Sequence, residues 1–227
     1  MSRLILYRAL GSPPSRAVMM LSDLIGVQLE LKEVNVFRME SKTPEFKKLN
    51  PMGTVPVLQD DNFVISESHA IMKYLLGKYG GDKRESLYPS ELRQRALIDQ
   101  CMYFDAGVFF NAFLTVARET AFKKLEGPTN MQIQRLEDTY STLEAYLQDK
   151  KYLAADQLTI ADISNGSTAT ATQFVHKLDP KKFPRSADWL ARLEEEHVFK
   201  TINAPGVAYL AKSITKLWNI NKEKNKA

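Results

Sequence analysis

Ser12 lies where a short apolar run ends and a helix begins. Residues 4–7 read Leu-Ile-Leu-Tyr and predict a strand, and Pro13-Pro14 opens a helix because proline is favoured in a first turn. A helix N-terminus has unpaired backbone N–H groups and the positive end of the helix dipole, so it favours anions. Two roles are open for Ser12: an N-cap of the helix, or a hydroxyl that donates a hydrogen bond to a bound thiolate.

Two further pairs of residues favour the same chemistry. Val55-Pro56 enters a predicted strand, where proline is found at an edge or a bend, often with a cis bond. A cis bond would turn the Val55 N–H and C=O outward to pair with an extended peptide; an ordinary edge-strand proline is the alternative. Glu67-Ser68 begins a helix and can bind a substrate ammonium and carboxylate, although acidic residues in a first turn also complement the helix dipole. Together with Ser12, these pairs indicate a site for a γ-glutamyl tripeptide.

The elements that position these residues form two predicted domains. Strand and helix signals follow the order β-α-β-α-β-β-α up to about residue 80, which predicts a small mixed sheet with helices. The chain beyond about Pro89 predicts helices, at residues 91–125, 131–147, 160–175 and 187–197. We therefore assign residues 1–80 to an α/β domain, 81–89 to a linker and 90–227 to an all-helical domain.

The start of the third helix in the second domain has a specific signal. Thr159 is followed three residues later by Asp162, and Leu158 precedes the pair. This pattern is typical of a capping box with a hydrophobic staple. We interpret it as structural and expect it to begin the central helix of the bundle.

Composition narrows the class of protein. The 227 residues are 44% hydrophobic, which suits one or two soluble domains. A net charge of +4, partly due to C-terminal lysines, does not indicate a nucleic-acid partner. The lone cysteine, Cys101, excludes an intramolecular disulfide, fits a reducing cytosol and has apolar neighbours that indicate burial. With no leader and no membrane-spanning stretch, we expect a cytoplasmic protein without a membrane partner or a metal.

Seven segments match a known family in order and spacing: residues 4–7, 12–18, 50–51, 55–56, 66–71, 86–89 and 158–162. They resemble the cytosolic glutathione transferases. The Ser-Pro-Pro form at Ser12 and the Glu-Ser-His form at Glu67 most resemble the insect epsilon class, with the delta class as the near relative. The resemblance implies a thioredoxin-like α/β N-terminal domain, an all-α C-terminal helical bundle, a homodimer and glutathione as co-substrate. It also implies a role in detoxification, including insecticide resistance.

The resemblance implies a role for each matching residue. Ser12 would be the catalytic residue, whose hydroxyl stabilises the glutathione thiolate. Val55, next to cis-Pro56, would contact the cysteinyl unit, and Glu67 with Ser68 would bind the γ-glutamyl unit. The remaining glutathione-binding positions that the resemblance implies are Gly53, Thr54, His69 and Asp105.

Asp105 carries two interpretations. In the family, the matching acidic residue supports the γ-glutamyl amine, usually across the dimer interface. A solvated charge on a helix is the alternative, and the aromatic neighbours Tyr103 and Phe104 favour the site role.

The chain departs from its relatives at two positions. Where they have histidines near the glycyl carboxylate of glutathione, this chain has Ser41 and Gly53. Lys42 or Arg38 could supply the missing positive charge, and solvated side chains are the alternative. We therefore expect weaker glutathione binding than in relatives that have both histidines.

The expected chemistry follows from the pKa of a thiol, about 8.5, which leaves only a few per cent thiolate near neutral pH. A hydrogen bond to the thiolate lowers this pKa, and the thiolate then attacks an apolar electrophile by substitution, addition, dehydrohalogenation or peroxide reduction. Helix facing and the family geometry imply an apolar second-substrate pocket lined by Phe37, Val108, Asn111, Ala112, Thr115, Phe122 and Tyr209. A non-catalytic carrier of hydrophobic ligands and a glutathione-dependent isomerase of an endogenous substrate are the alternative functions.

Overall fold

The computed structural model describes residues 3–226 in two domains, with the predicted fold class in each. The N-terminal α/β domain contains β1 (Leu4–Arg8), α1 (Pro13–Leu24), β2 (Glu30–Glu33), two 3₁₀ turns (Val36–Arg38 and Glu40–Lys42), α2 (Pro44–Leu49), β3 (Val57–Asp60), β4 (Phe63–Ser66) and α3 (Ser68–Tyr79). Next come α4 (Lys83–Leu87), α5 (Leu92–Phe104), a π-helical turn (Asp105–Phe109), α6 (Phe110–Phe122), α7 (Asn130–Tyr146), α8 (Ile160–Thr172), α9 (Pro184–Glu195), a second π-helical turn (Phe199–Asn203) and α10 (Ala204–Lys226).

The sheet brings the segments that carry the candidate residues to one end. Its strands lie in the order β2-β1-β3-β4. β1 pairs in parallel with β2 and antiparallel with β3, and β3 pairs antiparallel with β4. The chain therefore leaves β1, β2 and β4, and enters β3, at the same end of the sheet.

Alternation along β1 builds two apolar layers. Leu6 faces α1 and α3, whereas the neighbouring Tyr7 packs on the opposite face with Phe46 of α2. α1 also packs against α8, so one hydrophobic core extends from β1 to Trp189 in α9. This shared core holds the two domains together.

The central helix α8 begins as predicted. Thr159 is its N-cap, and the Asp162 carboxylate accepts hydrogen bonds from the Thr159 N–H at 2.9 Å and from the Thr159 hydroxyl at 2.8 Å. Every residue from Ile160 to Thr172 is buried because neighbouring helices surround α8.

The helical domain differs from the prediction in three places. Residues 91–125 form two helices joined by a π-helical turn at Asp105, and α4 lies within the predicted linker. Helix α10 was not predicted, although its apolar residues Leu210, Ile214 and Trp218 recur every four positions. Within residues 3–226, no helix has both the length and the apolar character needed to cross a membrane.

Candidate active site

Ser12 is the N-cap of α1, and the cap leaves its hydroxyl hydrogen available. The Ser12 backbone is extended, with φ −74° and ψ 117°, and its Oγ accepts a hydrogen bond from the Ser15 N–H at 3.4 Å. In the described part of the chain, this hydroxyl donates to no other group. A hydroxyl can accept one hydrogen bond and donate another. The two roles that the sequence left open for Ser12 are therefore compatible.

The first turn of α1 offers an anion a single hydrogen-bond donor. Pro13 and Pro14 have no N–H, the Ser15 N–H is bonded to the Ser12 side chain, and the Arg16 N–H is bonded to the Ser12 carbonyl at 3.0 Å. The expectation of unpaired N–H groups here is therefore wrong. In the described residues at this helix end, the Ser12 hydroxyl is the donor that remains.

A buried arginine, which the sequence did not single out, supports the Ser12 loop. The Arg16 side chain is fully buried and donates to the Gly11 carbonyl at 2.6 Å, to the Ser167 carbonyl at 3.1 Å and to Asn203 Oδ1 at 2.8 Å. Burial lowers the pKa of Arg16 to about 9, so the group stays a cation at neutral pH. The sequence signal that could have indicated this burial is the charge of Arg16 next to Ala17 in an otherwise apolar stretch of α1. Arg16 ties the peptide that precedes Ser12 to the helical domain.

Val55 presents its backbone to the same end of the sheet. The Val55-Pro56 peptide bond is cis, as the sequence predicts. Among residues 3–226, the Val55 N–H and C=O have no hydrogen-bond partner. β3 pairs with β1 on one side and with β4 on the other. Val55, just before β3, therefore approaches the sheet between the strand that leads to the Ser12 loop and the strand that leads to α3.

The N-terminus of α3 is open. Glu67 occupies the N-cap position with φ 71° and ψ 110°, and its exposed side chain makes no capping hydrogen bond. Within the described residues, the N–H groups of Ser68, His69 and Ala70 have no partner. Such a helix end, next to a carboxylate, can bind the carboxylate and the ammonium of an amino acid.

Asp105 is buried and supports His69 within the chain. It is 4% exposed, and its Oδ1 accepts a hydrogen bond from the Thr168 hydroxyl at 2.8 Å. Its Oδ2 lies 3.1 Å from His69 Nε2, and His69 Nδ1 lies 3.5 Å from the Ser68 hydroxyl. The interpretation as a solvated helix charge is therefore wrong. Both carboxylate oxygens have partners within the chain, and the expected role toward the γ-glutamyl amine across a dimer interface stays a prediction.

The other side of the site contains the two positions that depart from the relatives. Gly53 has φ +61°, and a Cβ there would lie 2.6 Å from the Ser41 carbonyl oxygen, so only glycine fits without movement. Ser41 is buried, and the Lys42 Nζ donates to the Met52 carbonyl at 2.9 Å. Arg38 is exposed, whereas Lys42 is half-buried along its length with its ammonium at the surface.

Thr54 is held by the loop that leads into Val55. The side-chain amide of Asn50 donates to the Thr54 carbonyl at 2.9 Å and to the Thr54 hydroxyl at 3.0 Å. This amide therefore fixes the approach of the chain to the cis bond.

The residues expected around the second substrate lie on the turn after β2, on the first π-helical turn and α6, and on α10. Tyr209 is 46% exposed, and its ring lies 3.3 Å from where a Cβ on Gly11 would be. Phe37 is exposed after β2. The remaining residues of this group at the start of α6 or just before it are Val108 and Asn111, both exposed, Thr115, half-buried, and Ala112, buried.

Phe122 is separated from that group. It is exposed at the last residue of α6, two positions after Thr120, whose hydroxyl accepts a hydrogen bond from Trp218. Trp218 is nine residues beyond Tyr209 on α10, which is about 13 Å along a helix. The structure therefore does not bring Phe122 next to Tyr209.

Cys101 takes no part in the site. It is 3% exposed, and its Sγ lies 3.8 Å from the Leu153 carbonyl oxygen. Burial raises the pKa of this thiol to about 12. The burial expected from its apolar neighbours is confirmed.

Comparisons with known proteins agree with this geometry. The family model of the glutathione S-transferase N-terminal domain matches residues 6–83, and that of the C-terminal domain matches residues 109–196. Glutathione S-transferase 1 of Manduca sexta is 35% identical over 209 residues, which cover 88% of this chain and 92% of that protein.

Solved structures give the same result. An epsilon-class glutathione S-transferase from the housefly, Musca domestica, has a TM-score of 0.91 and 36% identity, covering 95% of this chain and 98% of that one. A glutathione transferase homologue from Drosophila mojavensis, solved with bound glutathione, has a TM-score of 0.90 and 36% identity, with the same coverage. The family models, the relative and the solved structures all point to one family.

Proposed function

This chain belongs to the glutathione S-transferase family, within the insect delta and epsilon group, and we propose that Ser12 activates its glutathione. The observation that carries the proposal is the Ser12 hydroxyl, which caps α1 through its oxygen and keeps its hydrogen for a ligand. A thiolate bound beside it would accept this hydrogen bond at the positive end of the α1 dipole. Ser12 would stabilise the anion and would not itself be the nucleophile.

The rest of glutathione would lie across the end of the sheet. Glu67 would bind the γ-glutamyl ammonium, and the open N–H groups at the start of α3 with the Ser68 hydroxyl would bind its carboxylate. The Val55 N–H and C=O would pair with the cysteinyl unit as a neighbouring strand does. His69 would be positioned for this site by the buried Asp105, which lies 3.1 Å from its Nε2.

The reaction would then proceed on the bound thiolate. The glutathione thiol releases its proton to solvent, and the sulfur forms a bond to an electrophilic carbon. In a substitution, the leaving group departs with the electron pair of its bond to that carbon. The second substrate would be apolar, because three of the residues expected around it, Phe37, Val108 and Tyr209, expose large apolar or aromatic side chains. Conjugation of such compounds would serve detoxification.

A homodimer is also proposed. Phe63 is 44% exposed and packs against Tyr74, while Tyr103 is 71% exposed and lies 5.3 Å from Lys73 Nζ. Both aromatic rings border the same helix, α3, and a second copy would cover them. Sedimentation should show a dimer that Tyr103→Glu weakens, and a monomeric wild type would contradict the proposal. A cytoplasmic location would suit a chain whose only thiol is buried.

Turnover of a generic apolar electrophile by the wild type and by Ser12→Ala tests the function. We expect glutathione-dependent turnover whose kcat falls roughly 100-fold in Ser12→Ala, because the variant loses the donor that stabilises the charge. The glutathione KM should change little. Turnover that Ser12→Ala leaves unchanged would overturn the mechanism. Binding of apolar ligands without any turnover would favour a carrier.

A further inference from the structure

The order of the strands gives the ligand groove a direction. At the site end of the sheet, Glu67 and Ser68 follow β4, one edge strand, and Ser12 follows the inner strand β1. The turn that ends at Lys42 follows β2, the opposite edge strand. A tripeptide whose amino-acid end lies at α3 and whose thiol lies at Ser12 therefore extends its far end toward Lys42.

Lys42 is built into this side of the site. Its ammonium donates to the Met52 carbonyl at 2.9 Å, and its side chain is half-buried. Within residues 3–226, no carboxylate lies within ion-pair distance of it. An ammonium has three N–H donors, so two are available to a ligand.

Gly53 leaves the space that the lysine uses. A Cβ on Gly53 would lie 3.0 Å from Lys42 Cδ and 3.3 Å from Lys42 Nζ. A side chain at position 53 would therefore compete with the lysine for the same volume. Glycine at this position is also what the local φ of +61° requires.

We propose that Lys42 binds the glycyl carboxylate of glutathione. The proposal rests on the proposed function and assigns a residue to the end of glutathione far from α3. An ammonium that has no carboxylate partner among residues 3–226 and is held beside a backbone loop can make a charge-assisted hydrogen bond to a ligand carboxylate. It also opposes the expectation of weak binding, because Lys42 supplies the positive charge that Ser41 and Gly53 lack.

The test is a double-mutant cycle between the protein and its ligand. Lys42→Met keeps an unbranched apolar stem and removes the charge, Lys42→Arg keeps the charge, and the exposed Lys48→Met on α2 is the control. Each protein is titrated with glutathione and with glutathione whose glycyl carboxylate is an amide. Thermal unfolding of each variant checks that the fold is retained.

For glutathione, Lys42→Met should raise Kd about tenfold, whereas Lys48→Met should match the wild type. Lys42→Arg should retain most of the wild-type affinity for glutathione. At saturating glutathione, kcat should remain within about twofold of the wild type, because the charge acts on binding and not on the thiolate. The amide should bind the wild type about tenfold more weakly than glutathione does. Lys42→Met should bind the amide and glutathione equally well.

Two results would overturn the proposal. In one, Lys42→Met binds glutathione as tightly as the wild type. In the other, replacing the glycyl carboxylate by an amide weakens binding to Lys42→Met by the same factor as binding to the wild type. The carboxylate and the Lys42 ammonium would then not be coupled. If the wild type turns over glutathione and either result is found, only the assignment of Lys42 fails. A wild type that binds no glutathione would end the proposed function as well.

Discussion

Two helix N-termini face the same end of the sheet, and they are built in opposite ways. At α1, two prolines and the Ser12 cap remove the backbone donors and leave one hydroxyl. At α3, Glu67 makes no capping hydrogen bond, and three successive N–H groups are open in the described chain. Both ends have the same positive dipole, so the difference lies in the number of donors that each offers.

This difference suits two different anions. A thiolate is a single atom, and one directed donor is enough to lower its pKa while leaving the sulfur free to react. A carboxylate has two oxygens and is satisfied by several donors in a fixed geometry. We therefore expect loss of the donor at α1 to affect catalysis strongly, and loss of a donor at α3 to affect binding weakly.

We expect the largest effect on stability from removal of the buried arginine that supports the α1 end. Arg16→Met removes the buried donor that Gly11, Ser167 and Asn203 share and leaves the Gly11 carbonyl without a partner among residues 3–226, so it should lower the free energy of unfolding by about 3 kcal/mol. Urea unfolding measures the loss. Arg16→Lys, which keeps the charge but has fewer directed donors, should lose less. An Arg16→Met protein as stable as the wild type would show that this network does not hold the Ser12 loop.

At the α3 end, one substitution should move stability and binding in opposite directions. Glu67→Gly relieves a positive φ of 71° and should stabilise the fold by about 1 kcal/mol. It should also raise the glutathione Kd about tenfold, because the carboxylate that faces the ammonium is lost.

Lys124→Gly is the matched control, because Lys124 is exposed, has φ 57° and lies between α6 and α7 of the helical domain. It should gain stability without any change in glutathione Kd. Equal glutathione binding by Glu67→Gly and the wild type would remove Glu67 from the site.

Loss of one donor at α3 should have a smaller effect. Ser68→Ala removes a hydroxyl but leaves the N–H groups of α3, so the glutathione KM should rise only about threefold and kcat should stay constant. Steady-state kinetics beside Ser12→Ala give the comparison directly. A loss in kcat as large as that of Ser12→Ala would contradict the proposal that the α1 end acts on catalysis and the α3 end on binding.

The smallest effect concerns the thiol of the protein itself. Because burial raises the pKa of Cys101 to about 12, the folded protein should react with a disulfide reagent at neutral pH only as fast as it unfolds. Denaturant should release one rapidly reacting thiol. Fast labelling of the native protein would contradict this and would complicate any thiolate titration.

The parts of this comparison that are local in sequence could be predicted. The strand, Ser12 and the two prolines are adjacent in the chain, and the proline at Val55-Pro56 carries its own signal for a cis bond. Glu67 is recognised because it begins a helix after a strand. Each of these signals depends on neighbours within a few residues.

The parts that depend on distant contacts could not be predicted. Arg16 bonds to residues 151 and 187 positions away, so its burial becomes visible only when α8 and the second π-helical turn have packed on α1. The aromatic neighbours of Asp105 favour a site role, but its contacts with Thr168 and His69 are 63 and 36 positions away in sequence and could not be predicted. The proximity of Lys42 to Gly53 depends on the φ of a single glycine in a loop.

The pKa of the glutathione thiol bound to the wild type and to Ser12→Ala tests the central claim most directly. The ultraviolet absorbance of the thiolate gives this pKa, and Cys101 contributes nothing in the neutral range. We expect the bound thiol in the wild type to titrate roughly two units below its usual value of about 8.5, and most of that shift to be lost in Ser12→Ala. The same lowered pKa in both proteins would contradict the account, because the Ser12 hydroxyl would then not be the group that stabilises the thiolate.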